Sequence, residues 1–434
     1  MNRNALQLNQ VLAAVVVFSI ALSAAAKPQK STAEAVLEWN AIATEAMVAF
    51  AAARPPGVPP YREARIYAMA FVAMHDSLNA VQRRYQPYAC DAFAPGASPT
   101  TAVATAAHDV LVTVFPAQMA RFVAAYEAAL AEEQDSVRAE AGIALGRYCA
   151  EAILANRAND GADGAQVPYT PGNQPGDYQF TPPFDQPGNP SYGFVGDPLW
   201  GNVKPFVLTS ASQFRSPPPY ALTSLAYAAD LNEVKVRGAM FGSNRTAEES
   251  EIALFWRENS PLGWNRIART VALTRSYDGW ELARLFALLQ LAEMDGYLAS
   301  FETKYHYNFW RPVTAIRLAG TDGNDATSPD LAWMPFHPVT PPIPDYNSAH
   351  SAAGGAARAV LSRFFGRDDI SFSHTSTSLP AIIRSYTSFT QAADENGLSR
   401  ILVGYHFRLA VEAGRIQGES VGNWVADHAL LPAK

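Results

Sequence analysis

Apolar residues recur at helical spacing along most of the chain, and few stretches alternate apolar and polar residues as a strand does. The first part of the pattern predicts helices over residues 32–53, 61–82, 102–114, 117–132 and 136–156. The second part predicts helices over residues 221–238, 246–256, 264–274, 280–305, 348–365, 379–395 and 399–431. These segments are rich in alanine and poor in β-branched runs. We therefore expect an all-α fold, either one large helical bundle or two packed helical halves.

The helical pattern stops between residues 159 and about 219, where Gly, Pro, Asp and aromatic residues dominate. A loop of this length in a compact protein is usually functional or packed across the surface. Its Tyr, Phe and Trp side chains would be costly to leave in water. We expect this long irregular excursion to wrap over the helices rather than to act as a flexible linker.

Residues 1–26 have the pattern of a secretory leader. Arg3 precedes an apolar run over 11–22, and the small residues at 23–26 fit a cleavage site. The apolar run is short for crossing a bilayer, and no later segment approaches spanning length. We therefore expect an exported protein, periplasmic or secreted, that is not membrane-spanning and whose residues 27–434 form a single helical domain.

Charge and cysteine content narrow the function further. The 434 residues carry a formal net charge of -7 without a long run of Lys or Arg, so nucleic acid is not an expected partner. Cys90 and Cys149 fit a disulfide formed after export as well as two separate buried thiols. Nothing in the sequence specifies an oligomeric state.

Three short clusters between residues 300 and 410 carry the candidate chemistry. In the first, Lys304 and Arg311 stand seven residues apart, so both would face one pocket if the helix extends to Pro312. Arginine offers a planar fork to an oxyanion, and lysine adds a compact positive charge. Alone, such a pair is also typical of a solvated helix face.

The second cluster is a proline-rich approach to a helix start, over residues 341–350. Either Asn347 or Ser348 can cap that helix, and the backbone N–H groups of Ser348 and Ala349 would then point at an anion ahead of it. His350 would be placed to exchange a proton with the bound species. An ordinary cap followed by a surface histidine fits the same residues.

In the third cluster, Ser399 and Arg400 precede His406 by what we expect to be two helical turns. Arg400 would supply a third cation, and His406 a neutral imidazole nitrogen for use as a nucleophile or metal ligand. Together, the three clusters predict a site that holds a tetrahedral oxyanion and performs proton or nucleophile chemistry on it.

The order of these residues resembles a known signature: Lys, six residues, Arg-Pro; then Pro-Ser-Gly-His; then Ser-Arg, five residues, His. Vanadium-dependent haloperoxidases and type 2 phosphatidic acid phosphatases share it. Residues 75–88, which begin with His75-Asp76, also resemble the N-terminal part of soluble bacterial members of the haloperoxidase branch.

The resemblance implies an all-α fold that binds vanadate, at a site that phosphate can also occupy. It implies that His406 bonds vanadium and that His350 is the acid/base, while the oxygens are held by Lys304, Arg311, Ser348, the Ala349 amide and Arg400. Hydrogen peroxide, halide and a small organic acceptor would be its partners. As a soluble acid phosphatase, the same site would hold phosphate, with His406 attacking phosphorus and His350 protonating the leaving group. A third reading is an inactive binder of phosphate or vanadate.

The chain departs from the signature at three positions. Asn347 stands in place of proline, Ala349 in place of glycine, and Ala410 where an aspartate often follows the final histidine by four residues. On a helix, an aspartate at that spacing would orient the imidazole. We therefore expect a backbone carbonyl or another residue to orient His406, and Glu412 to face elsewhere.

Other motifs suggest other readings. Gly418-Glu-Ser420-Val-Gly422 has the spelling of a hydrolase nucleophile elbow, but it lies in a predicted helix and follows no strand. His306 would either line a halide pocket or be a core histidine. His75 beside Asp76 is predicted to be a capped or core histidine. The remaining histidines are predicted to be structural or exposed: His108, His337, His374 and His428.

Overall fold

The computed structural model describes residues 30–433, so the predicted leader over 1–26 lies outside the described residues. The first helices of this range are α1 Thr32–Ala53, α2 Pro60–Val81, α3 Pro99–Val114, α4 Met119–Ala131 and α5 Ser136–Arg157. They are followed by α6 Leu225–Arg237, α7 Ala247–Phe255, α8 Ser260–Ala272, α9 Gly279–Tyr307 and α10 Pro312–Arg317. The chain ends with α11 Ala349–Phe365, β1 Phe372–Thr375, β2 Ile383–Tyr386, α12 Phe389–Leu402 and α13 Arg408–His428. The predicted all-α class is confirmed.

Local capping explains why several helices begin where the sequence predicts. Ser31, Thr246 and Asp278 each cap a helix, and each has a glutamate three residues later that bonds back to the cap. This reciprocal arrangement satisfies backbone N–H groups that lack a partner inside the helix. α1, α7 and α9 therefore have starts set by their own sequence.

α9 is the central helix of the fold, and it packs against α1, α2, α11 and α13. Its side chains are buried on every face, including Leu285, Leu289, Met294 and Lys304. A helix that is covered all round lies inside a protein rather than on its surface. The last turn of α9 consequently delivers Lys304 into the protein interior.

α11 and α13 pack closely because glycines line their contact. A Cβ atom built on Gly418 would lie 1.9 Å from the carbonyl oxygen of Ala352, and one on Gly414 would lie 2.4 Å from that of Ser348. Distances this short leave no room for any side chain. The glycines thus hold the start of α11 against the start of α13.

Two predicted helices are wrong. The helix predicted over residues 379–395 is not helical in its first part, because Ile383, Ser385 and Tyr386 lie in β2, which pairs antiparallel with β1. The helix begins only after Ser388, which caps α12. The predicted helix 399–431 is broken after Leu402. Gly404 has a φ of +85°, and a Cβ atom there would lie 2.6 Å from the carbonyl oxygen of Gly238, so the chain turns at a point only glycine can occupy.

The excursion over residues 159–219 is irregular, as predicted, apart from a short 3-10 turn at Trp200–Asn202. It packs on the helices, with Tyr178 and Trp200 fully buried. The N–H of Tyr178 donates to the carbonyl of Asn308 at 2.7 Å, and the N–H of Trp310 donates to the carbonyl of Gly176 at 2.8 Å. The excursion is therefore bonded to the segment between Lys304 and Arg311.

Cys90 and Cys149 form a disulfide that links the segment after α2 to α5. Among the described residues, α1 is long and apolar enough to cross a membrane by length and composition, so the prediction that no segment beyond the leader approaches spanning length is wrong. Length and composition are weak evidence, since core helices pass the same test. One face of α1, with Val36, Trp39 and Ala43, is buried, as expected of a core helix that packs on α3 and α9.

Candidate active site

The first cluster reaches the second one through backbone carbonyls. α9 ends at Tyr307, so Lys304 and Arg311 do not share a helix, and Arg311 instead caps α10. The Nζ of Lys304 donates to the carbonyls of Pro344 and Asp345 at 2.8 and 2.9 Å. The Nε of Arg311 donates to the carbonyl of Ile343 at 2.7 Å. Both cations are fully buried and meet one stretch of chain, although not by the predicted continuous helix.

The second cluster begins α11, and Ser348 is its cap. Its Oγ accepts from the N–H of Ser351 at 3.3 Å, whereas Asn347, the other predicted cap, has its side chain in a buried network with Ser300 and Gln417. The N–H of Ser348 donates to the carbonyl of Ala410 at 2.8 Å. The prediction that this N–H is free for an anion is therefore wrong. Ala349, the first residue of the helix, has an N–H without an acceptor inside the helix.

The third cluster spans the turn between α12 and α13. Arg400 lies in the last turn of α12, and its Nε donates to the Oγ of Ser399 at 3.1 Å. The chain then reverses at Gly404, and the N–H of His406 donates to the carbonyl of Arg400 at 3.3 Å. The turn thus places His406 beside Arg400. In the predicted continuous helix, the two residues would lie farther apart along the helix axis.

Both imidazoles face this cationic surrounding. The Nη1 of Arg311 lies 2.9 Å from the Nε2 of His406 and 3.0 Å from the carbonyl oxygen of Tyr405. Burial, with the charges of Arg311 and Lys304, holds the pKa of His406 well below its usual range. Burial, with the charge of Arg400, does the same to the pKa of His350. Both rings are therefore neutral at neutral pH.

Asp345 is the acidic residue that the sequence predictions missed. Its Oδ1 lies 2.8 Å from the Nδ1 of His406 and 3.7 Å from the Nη1 of Arg311, and its side chain is fully buried. Burial raises its pKa to about 7 in spite of Arg311 and Lys304. The spacing rule that pointed to position 410 does not apply, because His406 precedes α13 instead of lying within it. The only signal in the sequence was an acidic residue three positions before Ser348.

Three donor atoms around His406 are buried and have no hydrogen-bond partner within residues 30–433. They are the Nη2 of Arg311, the Nη2 of Arg400 and the Nε2 of His350. An unpaired buried donor costs about 1–3 kcal/mol, and more when it is charged. Unpaired buried donors in a native protein call for an explanation, and a bound ligand that accepts from them is one. Two guanidinium groups and an imidazole fit the oxygens of a tetrahedral oxyanion such as vanadate or phosphate.

Other residues near the site were not predicted to be there. The hydroxyl of Tyr405 lies 2.5 Å from the Nδ1 of His337, so His337 is at the edge of the site instead of remote from it. The Nδ1 of His350 lies 3.0 Å from the Oγ of Ser260, the first residue of α8. No motif marks Ser260, which tertiary packing brings here from α8, whereas Tyr405 is the neighbour of His406 in the sequence.

The remaining histidines lie elsewhere. His306 is exposed and lies 3.4 Å from the Nη1 of Arg215, so it neither lines the pocket nor belongs to the core. His75 is buried 3.0 Å from Asp76, which confirms the core prediction. His374 is buried beside Glu258, and His428 is exposed and stacks on Trp424. His108 lies 2.7 Å from Asp109.

Two alternative chemistries find no support. Ser420 lies inside α13, where its Oγ donates to the carbonyl of Ile416, so this serine is not on a nucleophile elbow. Over residues 30–433, no group of three or more His, Cys, Asp or Glu side chains is placed to hold a metal ion. The oxyanion site is thus the best-formed candidate in the described chain.

Comparisons with known proteins find relatives among the vanadium haloperoxidases. Residues 284–432 match the family model described as the second helical-bundle domain of VCPO. The chain is 24% identical over 338 residues to the vanadium chloroperoxidase of Curvularia inaequalis, an alignment that covers 59% of this chain and 54% of that protein. The chain thus spans about half the length of this curated relative.

Solved structures resemble the chain over most of its length. The crystal structure titled as the first bacterial vanadium-dependent iodoperoxidase aligns with a TM-score of 0.78 and 27% identity, over 92% of this chain and 97% of that one. A holo-type bacterial vanadium-dependent chloroperoxidase aligns with a TM-score of 0.68 and 18% identity, over 87% of this chain and 94% of that one. The resemblance to vanadium haloperoxidases is confirmed, and the fold is theirs.

Proposed function

We propose that this chain is a vanadate-dependent haloperoxidase that oxidises halide with hydrogen peroxide at a vanadate bound to His406. The observation that carries the proposal is the set of buried, unpaired donors on Arg311, Arg400 and His350 around a neutral imidazole. The similarity to bacterial vanadium-dependent peroxidases supports vanadate over other oxyanions.

The cations and the helix start would hold the oxygens. Arg311 and Arg400 each have one buried Nη2 free for an oxygen. Lys304 uses two of its three donors on backbone carbonyls, so it keeps one. The hydroxyl of Ser348 and the N–H of Ala349, at the start of α11, complete the set. These donors are in place before the anion arrives, which is how preorganised sites stabilise developing charge.

The two histidines would have different tasks. The Nε2 of His406 lies against Arg311 and carries a lone pair for the metal, which when bound supplies the Lewis-acid centre that activates peroxide. His350 would hold or release a proton at its buried Nε2, since its Nδ1 faces Ser260. The low pKa of His350 keeps the ring neutral, so Nε2 donates a hydrogen bond to an oxygen in one tautomer and can accept a proton from incoming peroxide in the other.

Burial makes this group of cations electrostatically unfavourable unless an anion balances them. Burial lowers the pKa of Lys304 well below its usual range and that of Arg400 to about 10. Three cations face one carboxylate, so an anion with several negative oxygens is the ligand that balances them. A neutral substrate would leave these charges buried and uncompensated.

One assay separates the proposal from its rivals. Purified protein is incubated with vanadate, hydrogen peroxide and iodide, bromide or chloride, and in parallel with a phosphomonoester in the absence of vanadate. We expect halide oxidation, measured by halogenation of a small organic acceptor. Ester cleavage without halide oxidation would instead identify the phosphatase, and vanadate binding with neither activity would identify an inert binder.

Replacing His406 tests its assignment. For His406→Ala we expect turnover to fall at least a hundredfold and vanadate to bind more weakly, because the nitrogen ligand is lost. His306→Ala is the matched control, since that histidine is exposed, and it should keep wild-type values within about twofold. Wild-type turnover in His406→Ala would remove this residue from the ligand role.

We also propose that the protein is exported. The disulfide between Cys90 and Cys149 supports an oxidising compartment, where such bonds form and persist. Expression of the full chain with its own N-terminus, followed by fractionation and N-terminal sequencing of the mature protein, tests this. We expect a mature start near residue 27 outside the cytoplasm; uncleaved protein in the cytoplasm would contradict it.

A further inference from the structure

The ring of His406 lies between a group that can only donate and a group that accepts. A guanidinium has no lone pair to offer, and the Nη1 of Arg311 lies 2.9 Å from Nε2 and 3.4 Å from Nδ1, so the nearer nitrogen, Nε2, is the one that accepts. A neutral imidazole then carries its proton on Nδ1, which lies 2.8 Å from the Oδ1 of Asp345. The surroundings therefore select the tautomer whose Nε2 lone pair is directed into the oxyanion site.

Asp345 is itself firmly placed. Its N–H donates to the carbonyl of Phe309 at 2.8 Å, and its own carbonyl accepts from the Nζ of Lys304 at 2.9 Å. The backbone N–H of Phe407, next to His406, also approaches its carboxylate. The carboxylate is fully buried, and its backbone is held from both sides. A buried carboxylate is costly unless it is paired, so its place between His406 and these cations calls for a role.

We propose that Asp345 is a positioning residue: it accepts a hydrogen bond from the Nδ1–H of His406 and so directs the Nε2 lone pair at the vanadate. This inference rests on the proposed function. Asp345 would thus take the role that the signature gives to an aspartate four residues after the histidine. The 2.8 Å contact has the length of a hydrogen bond but is not well aligned, since Asp345 Oδ1 forms no bond of good geometry. A rotation of the ring as Nε2 exchanges Arg311 for its ligand would align it.

A simpler role for Asp345 would be to neutralise the buried cations. Its Oδ1 is 3.7 Å from the Nη1 of Arg311, nearly an ångström farther than from His406. The two roles differ in what they predict. A positioning residue acts only on ligands that bond to His406, whereas a counter-charge acts on every anion that Arg311 and Lys304 hold.

The test measures binding without peroxide, so that turnover is not needed. Dissociation constants for orthovanadate are determined by equilibrium dialysis for wild type, Asp345→Asn and Asp345→Ala, and the bound vanadate is recorded by 51V NMR. We expect Asp345→Ala to weaken vanadate binding about 10- to 100-fold and to shift the 51V resonance. Asp345→Asn keeps an acceptor oxygen and should recover much of both. Circular dichroism and thermal unfolding confirm that each variant is folded.

Two comparisons isolate the path through His406. Inorganic phosphate, which is held by the cations without a bond to the imidazole, should bind Asp345→Ala within about threefold of wild type. In a His406→Ala background, Asp345→Ala should change vanadate affinity by less than about threefold, because the residue it acts through is gone. Equal losses for vanadate and phosphate, or equal losses in both backgrounds, would overturn the inference.

The outcome also separates this inference from the function it rests on. Failure of wild type to bind vanadate would overturn the proposed function itself. Vanadate binding by wild type, with an unchanged dissociation constant and 51V shift in Asp345→Ala, would overturn only the role of Asp345.

Discussion

Ser260 helps to orient the ring of His350. Its Oγ lies 3.0 Å from Nδ1, and the backbone of Trp256 also approaches the ring. Because Nδ1 is engaged there, Nε2 is the nitrogen that stays available for chemistry. The serine thus contributes to which nitrogen of the ring faces the site, and it does so from α8, outside all three clusters.

For Ser260→Ala we expect kcat to fall about tenfold while the vanadate dissociation constant stays within about twofold, because the acid/base is misaligned but the donors remain. Steady-state halide oxidation and equilibrium dialysis measure the two effects. Ser420→Ala is the matched control, since that hydroxyl bonds only within α13. A parallel loss of vanadate affinity in Ser260→Ala would show that the serine shapes the anion site instead.

The buried side chain of Glu63 should make the free energy of unfolding depend on pH. Burial raises its pKa to about 7, against a usual value near 4.3 for an exposed glutamate. Between these two values the unfolded chain has released the proton while the folded protein still holds it. The stability that Glu63 supplies is therefore full below about pH 4.3 and decreases as the pH rises to 7, by about 4 kcal/mol in total.

Glu63→Gln removes this titration, so the variant should gain on wild type as the pH rises from 4.5 to 7, and the gain should level off above 7. Thermal unfolding of both proteins across pH 4.5–8 measures it. Asn259 donates to the Oε2 of Glu63 at 2.5 Å, and glutamine keeps an acceptor for that bond. A constant difference across the range would show that Glu63 is not protonated in the folded protein.

At the scale of the elements, helix boundaries set by local contacts could be predicted, and those set by contacts between distant residues could not. Helices with their own caps, such as α1 after Ser31 and α9 after Asp278, were predicted because the determining contacts are local. The break at Gly404 was not predicted, since it exists where the backbone of Gly238 passes within 2.6 Å of the Cβ position. Asp345 was missed for the same reason: its partner is 61 positions away and not on the expected helix.

The candidate ligands themselves were predicted from residue type and order, because cations, a capping serine and two histidines suit an oxyanion wherever they meet. Their convergence could not be predicted from spacing alone. Lys304 and Arg311 meet the same stretch of chain even though α9 stops between them, and Ser348 uses its N–H on Ala410 and not on a ligand. The chemistry of the site could therefore be predicted from residue types, whereas the path of the backbone could not.

The packing of α11 on α13 yields a third prediction. For Gly418→Ala we expect the free energy of unfolding to fall by about 2–3 kcal/mol, because the new Cβ would lie 1.9 Å from the carbonyl oxygen of Ala352 and the helices must separate. Chemical denaturation measures the loss. Gly96→Ala is the matched control, since no heavy atom of a neighbour lies within 4 Å of its Cβ position, and its change should stay below about 0.5 kcal/mol. Equal stabilities would mean that the helices tolerate a wider separation.

At the scale of the whole molecule, the disulfide and the candidate site lie in different parts of the chain. Cys90 and Cys149 are 59 positions apart and join the segment after α2 to α5, whereas the oxyanion ligands come from the part of the chain between α9 and the start of α13. Replacing both cysteines with serine should lower the free energy of unfolding by about 2–4 kcal/mol, because the unfolded chain gains freedom. Vanadate affinity, measured by equilibrium dialysis at low temperature, should not change. A coupled loss would show that the N-terminal helices set the geometry of the site.

The hydrogen bonds between the excursion and the segment before Arg311 bear on how the protein is made. Residues 176 and 178 leave the ribosome long before residues 308 and 310, to which they bond. Trp200 and Phe206 can already pack on Tyr61 and Tyr88, which are synthesised earlier, but Gly176 and Tyr178 have to wait for their hydrogen-bond partners. The nascent chain therefore leaves the stretch around Tyr178 unpaired for more than a hundred residues of synthesis, a state that a holding chaperone would shield.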